Sequence, residues 1–222
     1  MKVLGIDSAT PMMSVAVLDD ARVLAESAGA IARRGADLLV VIDEACRAAG
    51  VSPRELDAVA IGAGPGSFTG LRIGMATAKG IAFAAGRPLW AVSSLAALAR
   101  AAAVDGVVVA ALDARRGEIY AGAYRCAAGR VEALGDERVM APGELRAFAV
   151  DAACFVGDAG AAHPELAALG WTYATPRGAD VAALALGGAR ADITTSGAPT
   201  YIRPSEAEVK YPDGVPGALR TR

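Results

Sequence analysis

The sequence predicts an α/β protein that folds as two lobes, each built on a mixed β-sheet. Short apolar runs rich in β-branched residues alternate with longer segments that carry apolar residues at helical spacing. Three strand-like runs within residues 3–28 precede the first helical segment, and a similar order starts again at residue 107. The chain has 222 residues, 54% of them hydrophobic and 5% aromatic, which is enough for one large or two small domains.

The first half of the chain is predicted to contain four main strands and three helices. The acidic turn Asp19–Asp20 separates the second strand from the third. Gly86 and Pro88 end the second helix, because glycine favours the position after a helix and proline cannot continue one. The predicted strands cover 3–6, 12–18, 21–28 and 59–61, and the predicted helices cover 35–49, 67–85 and 95–103.

The second half repeats this order. A buried strand at 107–112 ends in Asp113, as the first strand ends in Asp7. The next two strands are predicted at 118–125 and 130–134. Because the two halves stay nearly in register, an internal duplication is the simplest explanation.

A doubled order of three strands followed by helices is typical of the actin, hexokinase and Hsp70 ATPase superfamily. We therefore predict a duplicated, ribonuclease H-like ATPase fold of this kind, with an N-terminal lobe at 1–104 and a C-terminal lobe at 105–222. The second lobe is degenerate, because its strand at 154–158 lacks a following glycine-rich loop. The segment 208–222 is expected to be loosely ordered.

Composition and charge weigh against several function classes. The formal net charge of −2 argues against a chain that binds nucleic acid by itself, and Arg33–Arg34 and Arg115–Arg116 are expected on solvated faces. Cys46, Cys126 and Cys154 form no C-x-x-C pair, so neither a disulfide framework nor a zinc site is indicated. With no signal peptide and no apolar run near the roughly 20 residues of a membrane span, a cytoplasmic location is expected.

The most informative segment is the glycine-rich stretch at 62–74, where a strand enters a turn that opens into a helix. Ser67 lies at the expected N-cap of that helix, and free backbone amides at a helix N-terminus can bind an anion. The spacing matches neither the Walker A nor the G-x-G-x-x-G pattern. A tight strand-to-helix corner without a ligand is the alternative.

Four motifs, in order, resemble the TsaB (YeaZ) family, the partner subunits of the bacterial machinery that makes threonylcarbamoyladenosine in tRNA. They are Ile6–Thr10 with Ser14–Val17, Gly64–Arg72, Asp113–Tyr120 and Pro199–Arg203. The resemblance implies a non-catalytic scaffold that dimerises with TsaD, the subunit that modifies the adenosine next to the anticodon. It also implies TsaE, an ATPase, as a partner and tRNA contact only through the complex. An exposed apolar helix face favours a homodimer when TsaD is absent, and no cofactor is predicted.

A polar site can also be predicted. In kinases of the superfamily an aspartate at the position of Asp7 helps to hold a metal-bound phosphate. The residues of such a vestigial nucleotide or phosphate site are Asp7, Ser8, Thr10, Gly64, Gly66, Ser67 and Asp113. The structural alternative is that Asp7 and Thr10 pin the hairpin turn. A neighbouring guanidinium, of Arg115 or Arg116, is expected to hold Asp113 ionised in a salt bridge, with Glu118 in the same ion-pair cluster.

The residue inventory argues against other chemistries. His163 is the only histidine and is expected at the surface, so the H-x-x-x-H metal motif of TsaD cannot be assembled. The histidine common near the first long helix of TsaB sequences is missing from residues 33–37. Cys46 lies in a helical apolar stripe and Ser67 lies outside a G-x-S-x-G motif. A small-molecule kinase or ATPase using Asp7, the 64–70 loop and Asp113 is the alternative function.

The resemblance implies that the two long helices form the contact with TsaD, and their composition fits this. In the second helix small residues recur every four positions, which would let another helix approach closely, whereas Leu71, Met75 and Phe83 are expected to face the core. The apolar arc of the first helix is wider than one buried side requires. The predicted interface consists of Leu38, Leu39, Ile42, Cys46, Gly70, Gly74, Ala78 and Ala82. The alternative is that both faces are buried inside the chain.

Overall fold

The computed structural model describes residues 1–30, 36–149, 151–195 and 197–203; for residues 36 and 37 it describes the backbone alone. Three predictions lie outside these residues: the solvated doublet Arg33–Arg34, the start of the first helix at residue 35, and the loosely ordered segment 208–222.

The first sheet combines an antiparallel meander with parallel strands. Its described strands lie in the order β12-β5-β4-β1-β2-β3, with β4 parallel to β1 and to β5. The strands are β1 (Lys2–Asp7), β2 (Met12–Asp19), β3 (Arg22–Ala30), β4 (Ala58–Gly62), β5 (Leu89–Val92) and β12 (Ala191–Asp192). One face packs against α1 (Ala36–Ala49) and α2 (Phe68–Ala85), and the opposite face packs against α6 (Gly178–Leu186).

The second sheet repeats this plan. Its described strands follow the order β11-β10-β6-β7-β8, and β9 also pairs with β7. The strands are β6 (Gly106–Arg115), β7 (Glu118–Ala127), β8 (Arg130–Ala133), β9 (Arg138–Met140), β10 (Cys154–Val156) and β11 (Trp171–Thr172). Helix α3 (Ser94–Ala101) covers one face, and α4 (Leu145–Phe148) and α5 (Ala159–Ala162) lie on the other.

The predicted duplicated fold is confirmed. In each sheet three successive strands form the meander, and later strands add in parallel beside the first strand. The three predicted long helices agree with α1, α2 and α3 to within one or two residues at each end that the structure describes. The division of the chain at residue 104 stays a prediction, and α6 and β12 lie on the first sheet although they come from the second half.

A close contact between backbones seats α6 on the first sheet. A Cβ atom at Gly5 of β1 would lie 2.1 Å from the carbonyl oxygen of Gly178, the first residue of α6. The hydroxyl of Ser14 accepts a hydrogen bond from the Gly178 N–H at 2.9 Å. The start of α6 is therefore fixed directly over β1 and β2.

Candidate binding cavity and partner surface

The glycine-rich loop between β4 and α2 packs closely against the β1–β2 turn and is hydrogen-bonded to it. The Ser67 hydroxyl accepts a hydrogen bond from the Gly70 N–H at 3.3 Å, which confirms its predicted role as the N-cap of α2. The Ser67 N–H donates to the Ala9 carbonyl at 2.7 Å. A Cβ at Gly66 would lie 2.4 Å from that same carbonyl oxygen, so only glycine permits this approach.

Asp7 lies behind this loop and has no exposed surface. Its Oδ1 accepts from the Ala9 N–H at 2.8 Å, and its Oδ2 accepts from the Ser94 hydroxyl at 2.7 Å. Burial raises the pKa of Asp7 to about 6, although these two hydrogen bonds oppose the shift. These contacts match the structural alternative, in which Asp7 pins the turn.

Other members of the predicted polar site are divided between the interior and a cavity. The Ser8 hydroxyl donates to the Gly70 carbonyl at 2.9 Å, and the Gly64 N–H donates to Ser94, so both are engaged internally. The Thr10 hydroxyl donates to the Met12 carbonyl at 2.8 Å, which fits its predicted role in pinning the turn. The predicted residues that line the cavity are Thr10, Gly66, Ser67 and Asp113.

This central cavity of about 680 Å³ lies between the β1–β2 turn, the glycine-rich loop, the β6–β7 hairpin and residues 200–203. Its wall carries four arginines and three aromatic rings that the sequence analysis did not assign to it together. They are Arg72, Arg115, Arg116 and Arg203, with Phe68, Tyr120 and Tyr201. The one sequence signal for them is that all seven fall within, or directly beside, the resemblance motifs.

Acidic groups at the base of the cavity are paired. The expected salt bridge is confirmed: Arg115 Nη1 lies 3.1 Å from Asp113 Oδ2, and the Arg115 N–H donates to Asp113 Oδ1 at 2.8 Å. Asp158 accepts from the Asp113 N–H at 2.9 Å, and burial raises the pKa of Asp158. Glu118 does not join this pair as expected; it forms an ion pair with Arg203.

The expectation that His163 lies at the surface is wrong. His163 follows α5, its N–H donates to the Ala159 carbonyl at 2.9 Å, and its side chain is only 11% exposed. Nε2 lies 3.6 Å from Asp113 Oδ1, and Nδ1 lies 3.7 Å from Glu165 Oε1. The imidazole therefore lies beside Asp113. A lone histidine carries no periodic pattern from which this burial could be predicted.

Residues 199–203 form a strap that ties the edge of the cavity to both sheets. On one side the Thr200 N–H donates to the Ala63 carbonyl at 2.7 Å, and the Tyr201 hydroxyl accepts from Arg72 Nε at 3.1 Å. On the other side Arg203 Nη1 donates to the Ala114 carbonyl at 2.8 Å. The sequence marked this segment only as a motif, and the structure shows that it bridges α2 and the β6–β7 hairpin.

The predicted partner surface needs correction, because most of its residues are buried within the chain. A Cβ at Gly70 would lie 2.1 Å from the Ser8 carbonyl oxygen, and a Cβ at Gly74 would lie 2.1 Å from the Ser8 hydroxyl. The small residues of α2 therefore accommodate the protein's own β1–β2 turn. The members buried in the interior are Leu38, Ile42, Cys46, Gly70, Gly74, Ala78 and Ala82.

Other apolar residues of α1 and α2 are exposed. Of the predicted interface only Leu39 is exposed, and Val40 beside it is exposed as well. Phe83, which was expected in the core, is 91% exposed. We call the set the α1–α2 outer face: Leu39, Val40, Ala76, Gly80, Phe83 and Ala84.

The described residues hold no cluster of three or more histidine, cysteine, aspartate or glutamate side chains that could bind a metal ion. Within that same part of the chain, no helix combines the length and apolar character that crossing a membrane requires.

The two-sheet architecture places the protein in the class of duplicated, actin-like ATPase folds. The profile of a family described as “TsaD: tRNA N6-adenosine threonylcarbamoyltransferase” matches residues 31–207. The solved structure of YeaZ from Pseudomonas aeruginosa aligns with a TM-score of 0.76 and 32% identity, covering 90% of this chain and 99% of that chain. The chain therefore belongs to the TsaD family of that profile, in its TsaB (YeaZ) branch.

Two curated relatives carry the description “tRNA threonylcarbamoyladenosine biosynthesis protein TsaB”. The Escherichia coli K12 protein is 38% identical over 128 residues, which are 56% of this chain and 55% of the relative. The Bacillus subtilis 168 protein is 32% identical over 143 residues, which are 63% of this chain and 62% of the relative. These matches thus span little more than half of each relative's length.

Proposed function

We propose that this protein is a non-catalytic subunit in the biosynthesis of threonylcarbamoyladenosine in tRNA, and that it binds and activates a TsaD-type transferase. The names of its relatives and the matching family profile support a role in this biosynthesis. The main observation in favour of a binding subunit is the exposed, apolar α1–α2 outer face. A monomer gains nothing from exposing Phe83, since burying such a side chain is worth about 1.5–3 kcal/mol.

The outer face has the composition of an interface. Along α2, Ala76, Gly80 and Ala84 recur every four residues beside Phe83, and nothing lies within 4 Å of a Cβ placed on Gly80. This strip lets a partner backbone approach, with Phe83 as an aromatic anchor. The exposed ion pair of Asp43 with Arg47 on α1 supplies polar groups nearby, as expected of an interface rim.

The proposed assembly is a heterodimer with TsaD in the cytoplasm, joined by TsaE. In the absence of TsaD the same outer face would pair two copies of this chain, so the homodimer and the heterodimer compete. The tRNA would be bound through the complex, because the chain carries a formal net charge of −2.

The test is size-exclusion chromatography with light scattering on the full chain, alone and mixed with the TsaD of the same organism. The Phe83→Asp variant should lose affinity for TsaD by about 30-fold or more, because a charge would enter the apolar centre of the interface. Leu134→Asp is the matched control, since Leu134 is also exposed but follows β8 on the second sheet. Unchanged complex formation by folded Phe83→Asp protein contradicts the proposed surface.

The alternative, a small-molecule kinase or ATPase, would need Asp7 or Asp113 to act on a metal-bound phosphate. Both carboxylate oxygens of Asp7 accept hydrogen bonds, from Ala9 and from Ser94, and Asp113 is paired with Arg115. Neither arrangement supports a role in binding a metal-bound phosphate. Turnover of Mg-ATP by the isolated chain, together with no binding to TsaD, would favour the kinase or ATPase.

A further inference from the structure

We propose that the interface with the partner extends beyond the α1–α2 outer face to a second anchor at the start of α2, where Arg72 binds a carboxylate side chain of that partner. The anchor, which we call the Arg72 cluster, consists of Phe68, Arg72 and Tyr201. This inference rests on the proposed function, because it assigns a further contact to the same TsaD-type partner. None of the three residues belongs to the interface that the sequence predicted.

The Arg72 cluster lies on the same side of α2 as the outer face. Arg72 and Phe83 are separated by about three helical turns, or roughly 16 Å, so their side chains leave the helix in nearly the same direction. Ala76 and Gly80 lie between them and are exposed. A partner helix that packs along this strip therefore reaches both Phe83 and Arg72.

Aromatic side chains are exposed at both ends of the strip. At the start of α2, Phe68 is 39% exposed and Tyr201 is 40% exposed, and their ring centres are 5.2 Å apart. Tyr201 is held there by the strap, since the N–H of the neighbouring Thr200 donates to the Ala63 carbonyl. Aromatic residues and arginine are enriched among the contacts that dominate the energy of protein interfaces. The Arg72 cluster therefore has the composition of a binding anchor.

The guanidinium group of Arg72 is oriented before any partner binds. Its central carbon lies 3.8 Å from the centre of the Phe68 ring, and Nε donates to the Tyr201 hydroxyl at 3.1 Å. In the described part of the chain no carboxylate pairs with Arg72. A guanidinium offers paired N–H donors that match a carboxylate in bidentate geometry. Because the side chain is already ordered, forming this contact costs less conformational entropy.

The charge of α2 favours an acidic partner surface. Arg72 and Lys79 are the charged residues of this helix, and both are exposed on the strip that contains Phe83. A purely apolar partner would leave the Arg72 guanidinium desolvated and unpaired, which is costly. The partner surface that fits combines an apolar pocket for Phe83 with an aspartate or glutamate about 16 Å away along the helix direction.

The first experiment measures the affinity of the full chain for the TsaD of the same organism by biolayer interferometry, at low and at high salt. Arg72→Ala should weaken binding about tenfold at low salt, and its affinity should depend less on salt than that of the wild type. Arg72→Glu should weaken binding by about a further threefold or more, because two carboxylates would then face each other. Arg125→Ala is the matched control and should bind like the wild type, since this exposed arginine lies near the far end of β7.

Three results would overturn the inference. They are wild-type affinity of Arg72→Ala at both salt concentrations, an equal loss in Arg72→Ala and Arg72→Glu, and an equal loss in the Arg125→Ala control. The second of these results would mean that the partner contacts the stacked side chain without supplying a carboxylate. The proposed function survives each of them if Phe83→Asp still loses affinity for TsaD. If the wild-type chain forms no complex with TsaD, the proposed function and this inference both fail.

The second experiment tests Tyr201 as the residue that positions Arg72. Tyr201→Phe keeps a ring beside Phe68 but removes the oxygen that accepts the Arg72 hydrogen bond. Affinity should fall about threefold, while its salt dependence stays that of the wild type because Arg72 keeps its charge. In the Arg72→Ala background the same substitution should have no further effect. An equal effect of Tyr201→Phe in both backgrounds would contradict its role in positioning Arg72.

Discussion

At the scale of single residues, Asp7 shows how a residue typical of catalysis can serve the fold. Its carboxylate joins the end of β1 to the start of α3 through Ala9 and Ser94. A Cβ at Gly62 would lie 1.8 Å from Asp7 Oδ2, so the carboxylate fills the space that this glycine leaves. The full burial of Asp7 makes its ionisation costly, and its pKa is raised to about 6 from the ordinary value of 3.8.

This shift predicts a pH-dependent contribution to stability. Because the folded-state pKa is raised, the contribution is fully present below pH 3.8 and is lost as the pH rises through about 6. The Asp7→Asn variant, which keeps an acceptor for the Ala9 N–H, should gain about 2 kcal/mol in unfolding free energy relative to wild type between pH 4 and pH 7. Urea unfolding of both proteins at the two pH values measures this. A difference that does not change with pH contradicts it.

At the scale of elements, the sequence predicted the meanders and the long helices because hydropathy period and turn residues are local properties. The identity of the element that covers a helix face, by contrast, depends on the tertiary structure. The spacing of Gly70, Gly74, Ala78 and Ala82 correctly predicted a face of small residues, but the β1–β2 turn and the core cover it rather than a partner. Similarly, the arginines of the central cavity come from α2, the β6–β7 hairpin and the strap, and only the tertiary structure brings them together.

The packing of α2 predicts opposite effects for two glycine-to-alanine substitutions in the same helix. Gly74→Ala should destabilise the protein by about 1–2 kcal/mol, because its Cβ would meet the Ser8 hydroxyl 2.1 Å away and disturb the Ser8–Gly70 hydrogen bond. Gly80→Ala, in open space, should stabilise it by about 0.5–1 kcal/mol through helix propensity alone. Chemical denaturation of both variants is the measurement. Equal effects would mean that the β1–β2 turn does not rest on α2.

At the scale of the whole molecule, the two halves of the chain exchange helices. Helix α3 belongs to the first half but packs on the second sheet, where Leu95 and Leu98 join its core. Helix α6 belongs to the second half but covers the first sheet with Val181 and Leu184. The two helices also meet directly, since Arg100 Nη1 lies 2.5 Å from Asp180 Oδ1. Each sheet therefore depends on the other half of the chain for one of its covering layers.

This exchange predicts that residues 1–104 do not fold alone, although they contain nearly all of the first sheet. Without α6 one face of that sheet loses the layer that buries Ala16 and Ala60, and without the second sheet α3 has nothing to cover. We expect the fragment to show no cooperative urea transition by circular dichroism. Adding residues 105–222 should restore one. As a control, the full chain cut at a protease site inserted in the exposed turn at 103–105 should stay folded, because its tertiary contacts persist. A cooperative transition for the isolated fragment would show that the N-terminal lobe folds independently.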